Sequence, residues 1–113
     1  MLREIGAYLQ SQGIGTLGAN VFLGLMPDQP DNCIALFEYA GSPPDLHWNG
    51  EYPGLQVRVR NKSYAAARTK IGEVMTALHG VHEQTLSGTR YLLIKARGSP
   101  EVLKRDNNNR VEF

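Results

Sequence analysis

The chain alternates apolar and polar residues on two different periods, and each change of period marks an element. Leu2, Ile5 and Leu9 recur at helical spacing with Gly13 behind them as a stop, so residues 2–12 are predicted to form a short amphipathic helix, weakened by Gly6. After the glycine-broken "GIGTLGAN", residues 21–25 read as a short strand ended by the turn-rich "MPDQPDN". "CIALFEYAG" reads as a stronger strand, with Cys33, Ala35, Phe37 and Tyr39 on one face and Ile34, Leu36 and Glu38 on the other. Both faces are mostly apolar, which suits an internal strand.

Residues 41–54, "GSPPDLHWNGEYPG", hold no periodicity and are expected to form a long loop, with Trp48 and Tyr52 giving it a reason to be functional. "LQVRVR" then gives the cleanest alternation in the chain: Leu55, Val57 and Val59 inward, Gln56, Arg58 and Arg60 outward. Asn61 or Ser63 caps a following helix whose apolar stripe is Tyr64, Ala67, Ile71, Val74, Met75 and Leu78, and Gly80 ends it. "TLSGTR" is a turn, and "YLLIKAR" a strand with Leu92, Ile94 and Ala96 set against Lys95 and Arg97. "GSPEVLKRDNNNR" reads as a polar link, and "RVEF" begins a last strand shorter than the usual five or six residues, so that a partner or further chain is expected to complete its pairing.

The order helix, two strands, long loop, strand, helix, strand, strand predicts an α+β fold. It is a two-layer domain, with a mostly antiparallel or mixed sheet of about four to five strands and two helices packed on one face. At 113 residues, one domain covering 1–113 is expected.

Composition narrows the functional classes. With 42% hydrophobic and 20% charged residues the chain reads as a soluble globular protein, and no apolar run approaches the roughly 20 residues of a membrane span. The N-terminal "MLREIGAYLQ" does not read as a secretory signal, which places the protein in a cytosol-like space. Cys33 is the single cysteine and is expected to be an inert, partly buried thiol. Twelve basic residues against 11 acidic ones leave a net charge of +1, so any electrostatic role is local.

No catalytic, cofactor or metal constellation emerges. In "HGVHE", Gly80 ends the helix between His79 and His82, and with Glu83 they read as polar residues at a helix end. "DLHW" sets Asp45 beside His47 without a serine or cysteine nucleophile. The glycines of "GIGTLGAN" do not lie between a strand and a helix as a dinucleotide site requires. Arg58, Arg60, Lys62, Arg68, Lys95 and Arg97 fit a solvated sheet face, a subunit interface or a nucleic-acid surface, the last lacking an interleaved aromatic platform.

The succession "PDNCIALFEYAGSPP", "YPGLQVRVRNKSYAAARTKI" and "GSPEVLKRDNNNRVEF" resembles the minor capsid and tail terminator proteins of long-tailed bacteriophages, over most of the chain from about Pro30. The resemblance implies a non-enzymatic virion protein of the tail or neck, assembled in the host cytoplasm. It implies a homo-oligomeric ring, a hexamer, that caps the tail tube, ends its polymerisation and joins it to the head-side connector protein. Its implied partners are therefore itself, the tail tube protein and the connector, with non-specific passage of DNA through the lumen and no membrane. Members usually continue beyond the position of Phe113, so a C-terminally shortened domain is expected. On this reading Arg58, Arg60, Lys95 and Arg97 are candidates for the subunit interface or the lumen, and Trp48 and Tyr52 for a loop that contacts a partner. The alternative is a small nucleic-acid-binding module using the basic strand face.

Overall fold

The computed structural model describes residues 1–43, 46 and 50–113. Its first helix, α1 (Leu2–Ser11), buries Ile5, Gly6 and Leu9. Helical spacing accounts for the isoleucine and leucine; the glycine has a packing reason. A Cβ on Gly6 would lie 2.8 Å from Leu17 Cδ2, so the bare backbone lets the following loop close against the helix. At the other end Gly13 is left-handed, with φ +75°, and Ile14 N–H donates to Leu9 O while Gly13 N–H donates to Gln10 O. This is a Schellman motif, and it satisfies two carbonyls that the helix end would otherwise expose.

Five strands form the main sheet: β1 (Val21–Leu23), β2 (Cys33–Ser42), β3 (Tyr52–Asn61), β6 (Lys104–Arg105) and β7 (Val111–Glu112), in the order β1-β2-β3-β7-β6. β1 runs parallel to β2 and the other pairs are antiparallel. Register sets Ile34 opposite Val59 and Leu36 opposite Val57, and Val59 exchanges backbone hydrogen bonds with Phe113. These apolar residues join Ile5 and Leu9 of α1 and Ala67, Ile71, Val74 and Leu78 of α2 (Tyr64–Leu78) in one core. The α+β expectation is met, with a mixed sheet. β7 is as short as expected, but it lies between β3 and β6 and takes its pairing from within the chain, not from a partner.

Ser63 caps α2, its hydroxyl accepting from Ala66 N–H at 3.2 Å, and Asn61 Oδ1 in turn accepts from Ser63 N–H at 2.9 Å. Gly80, with φ +86°, turns the chain at the other end as expected. Tyr64 departs from the predicted stripe: it is exposed and packs its ring 5.4 Å from that of Phe113.

A second, two-stranded sheet pairs β4 (His82–Leu86) with β5 (Thr89–Leu93). Sequence periodicity places no strand at β4 and starts β5 later, because four of the five residues of β4 are exposed and show no alternation. The turn decides instead: Ser87 (φ +48°) and Gly88 (φ +89°) are consecutive left-handed residues, the geometry of a tight hairpin. β6 is likewise missed as part of a polar link.

β2 and β3 are longer than predicted and take Gly41, Ser42 and Tyr52 to Gly54 out of the expected loop. All five residues from Glu38 to Ser42 are exposed, as are Glu51, Tyr52 and Pro53, so the distal half of this hairpin is an arm that the helices do not cover. A register shift between Tyr39 and Ser42 marks a bulge, where the carbonyl of Tyr52 occupies the space a side chain at Gly41 would need.

Candidate assembly surface

One face of the main sheet carries the helices; the other is cationic and aromatic. Directly opposed residues of an antiparallel pair share a face, so Arg58 and Arg60 stand with Ala35 and Cys33 on the side turned away from the core. That much agrees with the alternation of "LQVRVR". The two arginines then part company.

Arg60 is only 4% exposed. Its guanidinium donates to the carbonyls of Pro27 (2.6 Å), Pro30 (2.8 Å), Asp31 (3.0 Å) and Asp28 (3.2 Å), which fastens the 26–32 loop over the sheet. Arg110, 3% exposed, enters the same loop from the adjacent turn. It donates to Asp28 O (2.6 Å), Asp28 Oδ1 (2.9 Å), Asp31 Oδ1 (3.2 Å) and Asp106 Oδ2 (2.7 Å). The planar, multi-donor guanidinium suits both tasks, since several carbonyls can converge on it without unpaired hydrogens. Arg60 is thus corrected from an outward interface cation to an internal fastener. The "R-D-x-x-x-R" spacing held a signal of this, Asp106 and Arg110 being four apart, but nothing local names the loop they grip.

Electrostatics within the cluster follow from these bonds. Asp31 is held below its ordinary range by the hydrogen bond from Lys62 and, less strongly, by Arg110. Burial pushes the Asp106 carboxyl up, but hydrogen bonds from Arg110 and Asn108 outweigh it and the net direction is down. Cys33, buried opposite Arg60, has its thiol pushed up by burial, which fits an inert residue.

Arg58 is half-buried, and its guanidinium carbon lies 5.2 Å from the centre of the Phe37 ring. Ala35 directly opposite leaves room for this diagonal reach. Its Nε is buried and has no acceptor among the described residues. One step along the arm, Tyr39 lies across Gly54, where a Cβ would come within 2.5 Å of the ring. Arg97 Nη1 donates to Tyr39 Oη at 3.5 Å. The surface therefore runs from Phe37 and Arg58 through Tyr39 to Arg97.

Lys95 is exposed on the segment after β5. That strand pairs with β4 and not with β3, so Lys95 and Arg97 do not extend the arginine strand as adjacency would require; Arg97 arrives from the side. Tyr52 opens β3 in register with Ser42 and is exposed. Trp48, with Asp45 and His47, lies outside the described residues. His79 Nδ1 accepts from Ala96 N–H at 2.9 Å, and among the described residues no group of three or more His, Cys, Asp or Glu could hold a metal ion. No helix among them is long and apolar enough to cross a membrane.

Comparison with known families gives this arrangement its context. The chain matches the family model described as "Bacteriophage tail terminator protein" over residues 8–113, from within α1 to the end of the sheet. The chain belongs to the bacteriophage tail terminator family. No curated protein and no solved structure matches it. The family is one of structural tail proteins, and the match takes in both the fastened loop and the arm.

Proposed function

We propose that this chain is a non-enzymatic tail terminator that works as a homo-oligomeric ring, a hexamer, on the end of the phage tail tube. The single domain binds the tube's last layer, ends polymerisation, and presents its other side to the head-side connector protein. Assembly takes place in the host cytoplasm and the product resides in the virion tail. The family match over residues 8–113 carries this reading. The arm supports it physically, because a ring built head to tail needs two different patches on each subunit and a projecting hairpin supplies reach to a neighbour. Of the candidate cations, Arg58 and Arg97 serve the contact and Arg60 serves the loop; Lys95 and Tyr52 are exposed. The charge available to passing DNA is small, with Arg60 and Arg110 buried and a net charge of +1.

Polymerising the tail tube protein with and without this chain, and measuring tube lengths by electron microscopy, tests the reading. Capped ends and arrested growth are expected in its presence. Unchanged length distributions and bare ends would overturn it.

A further inference from the structure

The β2–β3 hairpin is charged oppositely on its two faces where the arm leaves the core. On the face turned from the helices, Arg58 lies over Phe37 and Arg97 meets Tyr39. On the helix side, Glu38 continues the line of Ile34 and Leu36 past the point where α1 and α2 give cover, and it is exposed. Tyr91 stands close by: burial raises its pKa first, and the charges of Glu4 and Glu38 raise it further. Neither Arg58 nor Glu38 has an ion-pair partner among the described residues. Unanswered charges of opposite sign therefore sit on opposite faces of β2–β3, Arg58 opposite Ala35 and Glu38 opposite Leu55, where the hairpin leaves the core.

Two faces packed against each other stand about 10 Å apart, close enough for side chains from both to meet between them. A second arm laid on the first in the same sense would bring a carboxylate to the guanidinium surface, whereas arms laid like face to like face would repel. Such a contact uses a different patch from each copy, so it repeats around a closed ring without consuming itself. Phe37 and Tyr39 supply apolar area beneath the charges, and the charges fix direction and register.

We propose that the cationic, aromatic face at the base of the arm, with Arg58 over Phe37 and Arg97 at the Tyr39 hydroxyl, is covered by the Glu38 side of a second copy's hairpin. The inference rests on the oligomeric reading above and adds to it which surfaces meet. A second copy suits this face better than a nucleic acid, because the Phe37 ring is already taken by Arg58 and the Tyr39 ring lies flat across Gly54.

Charge exchange tests it. Sedimentation velocity across a concentration series would be run on the wild type, Arg58→Glu, Glu38→Arg and the double variant, with Arg97→Glu as a substitution outside the sheet in case Arg58→Glu does not fold. Each single substitution should raise the concentration at half-assembly by about tenfold or more, and the double variant should return most of the loss. Thermal unfolding of Arg97→Glu should match that of the wild type. Singles that assemble like the wild type, or a double variant weaker than either single, would overturn the arm contact while leaving the oligomer standing. A wild type that stays monomeric, alone and with tail tubes, would remove the oligomeric reading and the contact with it. Binding of a labelled single-stranded DNA at low salt, lost in Arg58→Glu with assembly unchanged, would overturn the proposal in favour of nucleic acid.

Discussion

Arg60 and Arg110 share one acceptor, the carbonyl oxygen of Asp28, which each reaches with a guanidinium nitrogen, at 3.2 Å and 2.6 Å. One arginine comes from the middle of the sheet and the other from its last turn, so the shared carbonyl ties the 26–32 loop to both. Three elements far apart in sequence close into one unit.

Arg60→Ala should be among the most damaging single substitutions. It strips the carbonyls of Pro27, Pro30 and Asp31 of their guanidinium donor, Asp28 O keeping its shorter bond from Arg110, and the expected loss is about 3 kcal/mol, or roughly 10 °C in Tm. Arg60→Lys should recover only part of it, since one ammonium cannot span the same acceptors. A Tm for Arg60→Ala within 2–3 °C of the wild type, about the spread expected of a surface substitution, would show that the loop does not depend on the arginine.

Acid should loosen the same region. Asp31 and Asp106 have folded pKa values below their ordinary 3.8, so the unfolded chain takes up these protons first. Their stabilisation is complete above the unfolded value and is lost as pH falls through the lower folded values, in a window below about pH 4. Glu4 acts in the same direction, lowered by hydrogen bonding at its own backbone, then by the N-terminal ammonium and Thr89. Against that background Asp106→Asn should start from a lower Tm at neutral pH and decline less steeply in acid. Parallel Tm curves for variant and wild type would exclude a titrating role for Asp106.

The cap on α2 offers a local check. Ser63→Ala should cost about 1 kcal/mol, because Ala66 N–H loses its acceptor at an exposed helix end. Urea unfolding should show a shifted midpoint with an unchanged slope.

Gly41→Ala should act on the arm and not on the core. Any Cβ there meets the Tyr52 carbonyl, which is backbone and cannot swing aside. Hydrogen exchange should accelerate at residues 38–42 and 52–55 while Ile34, Leu36 and Val59 stay protected. Uniform acceleration through the core would contradict the picture of a separately yielding arm.

Much of this fold was legible because its main elements are periodic. Leu2, Ile5 and Leu9 mark α1, Leu55, Val57 and Val59 mark the buried side of β3, and Ser63 and Gly80 bracket α2. Periodicity fails where pairing is decided by a turn, as at Ser87 and Gly88, or where a strand such as β4 is exposed on both sides. It also gives the face of a side chain without saying what covers that face. Arg58 and Arg60 are indistinguishable in "RVR", yet a loop from some 30 residues earlier buries one and leaves the other beside Phe37. The candidate surface is legible to the same extent: alternation gives the face of Arg58, but the Phe37 ring beneath it and the approach of Arg97 to Tyr39 from outside the main sheet follow from strand pairing and packing that periodicity does not carry.

The mass of the purified protein by light scattering, across a concentration range and with tail tubes added, tests the central claim most directly. The account predicts one closed species near six copies of the 12.5 kDa chain, forming either freely or on the tube end. A single-chain mass at every concentration, with tubes that elongate unchecked in its presence, would contradict it.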